Sequence, residues 1–411
     1  MAGATKSELS VHETRREPGP ARGTPAEVFL VFLKLGLTSF GGPVAHLGYF
    51  HQEFVVRRRW LTQRSYADVV ALCQFLPGPA SSQVGLAIGL SRAGYMGALA
   101  AWAGFTLPSA LILILFAYSF VGLQSLIGTG WLNGLKAAAV AVVALAVASM
   151  ARSLAPDRSR ATLAVAAAIL ALTFPSTSGQ LGAIALGGLV GLALKAEAPS
   201  EDDAALPLTV SPSVAVAALI VFFSLLILLP LAQAALNSPP LAQFTAFYRA
   251  GSLVFGGGHV VLPLLQAEVV PTGWVTHDAF LAGYGAAQAV PGPLFTFAAY
   301  LGAVIGGWSM ALLCLIAVFL PSFLLVLGAL PFWEALRRTA RIQAALKGVN
   351  AAVVGLLLAA LYDPVWTAGI GNARDFALAL SAFLFLFMWQ WPPWLVVILS
   401  AAAGVAVAHL F

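Results

Sequence analysis

Charge is scarce in this chain. Of 411 residues, only 9% are Asp, Glu, Lys or Arg, and 60% are hydrophobic. Soluble domains carry about 25% charged residues, so a water-soluble globular domain does not fit. Cysteine is nearly missing: Cys73 and Cys314 both lie in apolar segments, which supports neither a disulfide framework nor a metal site. Short strands alternating between polar and apolar residues, as a membrane barrel requires, are missing as well. There is no H-E-x-x-H and no G-x-S-x-G, and no Walker Lys-Ser/Thr follows Gly256-Gly257-Gly258, so hydrolase and nucleotide chemistry lack their parts. No cofactor, metal or nucleic-acid partner is expected. The net charge of +5 fits basic cytoplasmic loops.

What remains is apolar sequence from about Phe29 to Phe411, in continuous runs rich in Ala, Leu and Val. The expected fold is an all-α polytopic membrane protein with about 10–12 apolar segments. Met1 to Thr24 is polar, with Arg15, Arg16 and Arg22. It lacks the apolar core and cleavage site of a signal peptide, and reads as a disordered cytoplasmic tail over residues 1–25. The tryptophans between Trp389 and Trp394 read as an interfacial belt.

The chain is written twice. "FLKLGLTSFGGPVAHLGYFHQEF" starts at Phe32 and "FYRAGSLVFGGGHVVLPLLQAEV" at Phe247. Laid together, Lys34 meets Arg249, Phe40-Gly41-Gly42 meets Phe255-Gly256-Gly257, and Glu53 meets Glu268, at an offset of 215. Farther on the offset is 214: Gln74 meets Gln288, and Pro77-Gly78-Pro79 meets Pro291-Gly292-Pro293. Leu-Pro-Ser recurs at Leu107–Ser109 and Leu320–Ser322. The expected organisation is a first repeat over 26–197, a linker over 198–212 and a second repeat over 213–411.

The basic loops change places between the repeats. Arg57, Arg58, Arg59 and Arg64 follow the first glycine motif, while the equivalent loop, Pro271 to Asp278, has no Lys or Arg. Arg337, Arg338, Arg341 and Lys347 have only Lys136 opposite them. Positive loops stay inside, so the repeats have inverted topology, a recurrent plan of secondary transporters. The N-terminal tail and Arg57–Arg64 both read as cytoplasmic. The stretch between them, broken at Gly41-Gly42-Pro43, then reads as two half-helices in a re-entrant hairpin, with a single crossing helix as the alternative.

Breaks cost backbone hydrogen bonds that lipid cannot replace. Two matched Pro-Gly-Pro breaks therefore point to a use. A new helix N-terminus exposes unpaired N–H groups and partial positive charge, which suits an anion. The candidate substrate-binding residues are Gly41, Gly42, Gln74, Pro77, Gly78, Pro79, Ser81 and Ser82 in the first repeat. Their partners are Gly256, Gly257, His259, Gln288, Pro291, Gly292, Pro293 and Thr296. Lys34 and Arg249 join them as a matched cation pair inside apolar segments, with snorkelling to the headgroups as the bland alternative. Glu53 and Glu268 are candidates for proton coupling, or simply carboxylates at the membrane edge. His46 and His51 are further titratable candidates ranked behind His259.

"KLGLTSFGGPVAHLGYFHQEFVVRRRWLT" followed by "ALCQFLPGPASSQVG", with the second copy in the same order, resembles the chromate ion transporter family, in its long, two-domain form. The resemblance implies a multi-pass protein of the bacterial inner membrane with a cytoplasmic N-terminus. It also implies a secondary transporter, not an enzyme, that exports chromate from the cytoplasm on the membrane potential or proton gradient. Sulfate or another oxyanion is the alternative substrate, and a lipid-phosphate enzyme the weaker alternative class. Assembly as a homodimer is left open. The halves are not interchangeable around Gln74 and Gln288, so an asymmetric cavity is expected.

Overall fold

A computed structural model of the chain describes residues 23–193, 210–255 and 258–410. Most of the expected tail and linker, and both Gly256 and Gly257, lie outside the described residues. Among the described residues all regular structure is helical, and six helices are long and apolar enough to cross a membrane. The chain is an all-α polytopic membrane protein.

α1 (Pro25–Thr38) begins where Thr24 accepts the Glu27 N–H, with Pro25 in the first turn. Both choices suit a helix start. The chain then turns at Gly41 and Gly42, whose φ angles are +102° and +81°, values glycine reaches without a Cβ penalty. α2 (Gly42–Phe50) runs back and widens into a π-type segment over His51–Arg57. The return is visible in the pairing. Phe32 stacks on Phe54 with centroids 5.0 Å apart, and Arg58 lies 3.9 Å from Glu27.

α3 (Gln63–Phe75) starts on a Thr62 cap and α4 (Ala80–Ile127) follows the first Pro-Gly-Pro. α4 is not one rod. Ala93 and Gly94 leave helical dihedrals, and a Cβ on Gly89 would collide with the Gly97 carbonyl oxygen. In a straight helix those residues would stand about 12 Å apart. Residues 80–92 therefore fold back and residues 95–127 make the crossing, about 50 Å long at 1.5 Å per residue. At the fold, Arg92 meets Glu27 at 3.2 Å. Both broken hairpins of the first half thus share one base.

α5 (Gly130–Leu154), α6 (Arg158–Thr173) and α7 (Thr177–Ala193) complete the first half. Asp157 caps α6 by accepting the Arg160 N–H, which holds its carboxyl below the usual carboxylate range. α8 (Pro212–Leu236) is a lipid-facing helix with no counterpart among the described residues. The second half repeats the plan in α9 (Pro239–Ser252), α10 (Val261–Val269), α11 (His277–Ala289) and α12 (Phe297–Ala329). Thr276 caps α11 as Thr62 caps α3, and α12 reverses at Gly306-Gly307, with Gly302 against Met310. After a short α13 (Trp333–Arg338) come α14 (Ala340–Ala360), the turn α15 (Thr367–Gly369), α16 (Ala373–Phe387) and α17 (Pro393–Leu410).

The halves are interleaved. α6 and α7 pack on α14, and α16 and α17 pack on α5. Glycines permit the approach: a Cβ on Gly348 would collide with the Gly187 carbonyl oxygen, and one on Gly134 with the Ser400 carbonyl oxygen. Small residues bring helix backbones together where lipid offers no hydrophobic drive. The hairpin bases point to opposite ends. The first base is tied to Arg92, where the long crossing starts. In the second half, Asp278 pairs with Lys136 near the start of α5, and Glu268 accepts from Thr177 at the start of α7. Both contacts lie beyond the other end of that crossing, so the two repeats run inverted.

Candidate functional site

The two glycine turns meet. A Cβ on Gly258 would lie 3.2 Å from the Pro43 ring, so the tips of the two first hairpins touch across the halves. Beside them is a cavity of about 240 Å³ lined by Gly41, Gly42, Pro43, Gly258, His259 and Gln288, closed by Val142, Ala146 and Ser149 of α5. Among the described residues, no Asp, Glu, Lys or Arg lines it. Its polar groups come mainly from the second half. His259 Nδ1 is bonded to the Tyr284 hydroxyl at 2.8 Å, which also neighbours the Gln288 side chain. The Gln288 amide nitrogen is buried with no hydrogen-bond partner among the described residues. A buried orphan donor costs about 1–3 kcal/mol unless something fills it.

The Pro-Gly-Pro breaks carry a contact between the halves. The Gly78 N–H donates to the Val254 carbonyl at 2.7 Å, and the Gly292 N–H donates to the Ser39 carbonyl at 2.9 Å. Ser39 and Val254 are themselves equivalent positions. Each break is thus latched to the residue just before the other half's glycine turn, an exchange of contacts that a two-fold relation produces. Backbone carbonyls, unpaired where α1 and α9 end, take the N–H groups of both glycines. The contact extends to side chains. A Cβ on Gly78 would meet Ser322 Oγ at 2.7 Å, and one on Gly292 would meet Ser109 Oγ at 2.8 Å. The repeated Leu-Pro-Ser is therefore part of the latch.

Behind the first latch is a buried polar chain. His46 bridges Ser81 Oγ at 3.3 Å and the Ser39 carbonyl at 3.2 Å. Gln83 donates to the Pro77 carbonyl at 2.7 Å. Ser82 Oγ is buried without a partner among the described residues. In the second half, Thr296 turns its hydroxyl onto the Pro293 carbonyl at 2.8 Å, a local cap that leaves it no free proton.

The remaining candidates are scattered. Arg249 grips Glu268 through two bonds of 2.8 and 2.6 Å. Lys34 stands exposed on α1 and Gln74 exposed on α3, and neither lines the cavity. Glu53 is held by Arg58 at 2.6 Å and Arg57 at 3.1 Å at the hairpin base. His51 bonds Gln63. Sequence reasoning missed Tyr284 and Ser39, and it did not join His46 and Ser81, both candidates, into one chain with Ser39. A signal was present for that chain: at the repeat offset its three residues face Val254, Val261 and Phe295, a run of polar-to-apolar mismatches.

Repeats whose broken helices meet at a shared cavity are a recurrent plan of membrane transporters. The chain belongs to the chromate transporter family, whose pattern it matches over residues 26–192 and 241–405. It is 31% identical over 342 residues to a chromate transport protein of Pseudomonas aeruginosa, covering 82% of this chain and 80% of that one. It is 27% identical over 391 residues to a probable chromate transport protein of Synechococcus elongatus, covering 91% and 93%. An uncharacterized transporter of Bacillus subtilis, 31% identical over 172 residues, is covered to 87% of its length by 41% of this chain, about one repeat. No solved structure matches the chain.

Proposed function

We propose that the protein exports chromate across the bacterial inner membrane, with the membrane potential or proton gradient as driving force. The observation that carries this is the cavity shared by the two glycine turns, with the unpaired Gln288 amide in its wall. A tetrahedral dianion needs donors and no facing carboxylate, and that wall meets both conditions. Gly41, Gly42, His259 and Gln288 are the residues we assign to it. Lys34, Arg249, Gln74 and the Pro-Gly-Pro residues act around this site, not in its wall. The basic Arg57–Arg64 and Arg152–Arg160 loops support a cytoplasmic face at their end, with the N-terminus on it. A proton-coupling role for Glu53 or Glu268 requires its arginine partners to release it during the cycle. Sulfate has the same charge and shape, so substrate choice is part of the test.

Radiolabelled chromate uptake into inverted vesicles, with sulfate as competitor and with the proton gradient collapsed, tests the reading. Chromate should accumulate, less so without the gradient. Gln288→Leu removes one hydrogen bond to a charged group, so its half-saturating concentration should rise about tenfold or more. Absence of chromate uptake, or an unchanged Gln288→Leu, rejects the assignment.

A further inference from the structure

The two-fold relation that builds the glycine-turn cavity also builds a second one. A pocket of about 630 Å³ lies among α6, α7, α10 and α14. Its wall residues Leu356, Ala360 and Asp363 are the repeat equivalents of Val142, Ala146 and Ser149, which wall the first cavity. The C-terminal half of α5 leads toward the face of the basic loops. The C-terminal half of α14, in the inverted repeat, leads toward the opposite face. The second pocket stops short of the glycine turns: it reaches Pro263 and Gln266 of α10 but neither Gly258 nor His259. The Gln180 amide, bonded to the Pro263 carbonyl at 3.0 Å, ties its floor shut.

Each pocket has one histidine in its lining, His259 in the first and His277 in the second, and the mates differ in one carboxylate. Where the first cavity has Ser149, the second has Asp363, exposed and accepting a hydrogen bond from Thr367 at 3.0 Å. Among the described residues, no Lys or Arg lines that pocket. We propose that this pocket is the anion's vestibule on the far face, and that Asp363 makes that face a poor entrance for anions. The assignment of a released anion rests on the oxyanion reading above; the vestibule and its charge do not. A unit charge about 8 Å from a dianion in water weakens its occupancy about fivefold, an effect that salt should screen. Departure is then favoured over re-entry, at no change in the overall driving force.

Thiol labelling tests this without a transported substrate. Cys73 and Cys314 are both fully buried, so the native chain is a quiet background. Gln266→Cys places a thiol in the far pocket and Ser149→Cys one in the first cavity. Each variant is treated with an anionic sulfonate-bearing methanethiosulfonate and with a cationic trimethylammonium one, added from either face. The thiol of Gln266→Cys should react from the face opposite Arg58 and prefer the cationic reagent. Adding Asp363→Asn should raise its anionic-to-cationic rate ratio about fivefold. The same change should leave the ratio in Ser149→Cys unaltered, which also reports intact folding. An unchanged ratio in Gln266→Cys, or labelling of both thiols from one face, overturns the proposal. Loss of chromate uptake in the unsubstituted protein would instead sink the oxyanion reading and leave this one standing.

Discussion

Ser39, His46 and Ser81 form a buried polar chain in the first half, and the same positions of the second half hold Val254, Val261 and Phe295. The second half has its own cluster, His259, Tyr284 and Gln288, against Val44, Val70 and Gln74 in the first. Yet both halves keep the same latch, a glycine N–H on the other half's carbonyl. Backbone contacts depend on chain path and on the lack of a Cβ, so they survive when side chains diverge. Side-chain networks can be moved between halves as long as each is satisfied. The difference also separates roles. The first half's cluster is closed on itself behind the latch; the second half's cluster opens on the cavity and leaves one donor for a ligand.

The hairpin bases differ in the same manner. Glu27, Arg58 and Arg92 gather there in the first half, with Arg58 and Arg92 lying 5.5 and 4.9 Å from the Trp60 ring centre. Ala242, Thr272 and Ile305 occupy the equivalent places in the second half. The cluster of two arginines around Glu27 sits at the base next to the basic loops, as a basic inner side with inverted repeats would have it; the other base carries the Arg249–Glu268 and Lys136–Asp278 pairs.

The strongest challenge to this comparison is to break both latches separately. Gly78 and Gly292 have φ of +127° and +98°, and an added Cβ meets a serine hydroxyl in each case. Gly78→Ala and Gly292→Ala should each lose about 2 kcal/mol or more from strain and overpacking. Thermal unfolding in detergent should fall by similar amounts for the two. A neutral result at either glycine would mean that the latches are not equivalent.

A smaller effect separates the matched cations. The Arg249 side chain is 26% exposed and Glu268 9% exposed. Removing a partner from a fully buried pair costs about 3–5 kcal/mol; partial exposure brings the expectation for Arg249→Ala to about 2 kcal/mol. Arg249→Lys should recover part, without the two-pronged grip. Lys34→Ala should stay within about 0.5 kcal/mol, as at an exposed site. Equal destabilisation by the two alanine variants, read from the same unfolding curves, would restore the symmetry that the structure denies.

The smallest effect concerns neighbouring serines. Ser81→Ala removes one bond to His46 and should cost about 0.5–1.5 kcal/mol. Ser82 Oγ has no partner among the described residues, so Ser82→Ala should leave unfolding unchanged. Greater destabilisation at Ser82 than at Ser81 would reveal a partner that the described residues do not show.

Much of the fold was legible in the sequence because it follows from composition and repetition. Scarce charge over long apolar runs dictates helices in lipid. The 214–215 offset dictates two copies, and the exchanged basic loops dictate their inversion. Gly41-Gly42 and Pro77-Gly78-Pro79 dictate where helices stop, since no other residues stop them so firmly. What the sequence could not determine is where the broken ends go. Gly78 and Val254, or Gly292 and Ser39, are far apart along the chain, and their bond exists only because the halves interleave. Matching positions promised matching roles for Lys34 and Arg249. Tertiary packing decided otherwise, since Glu268 and α10 stand beside Arg249 while Lys34 faces outward. Local pattern sets which backbone groups lose their partners; only the three-dimensional path decides which group replaces them, because a hydrogen bond is satisfied by distance in space and not by distance along the chain.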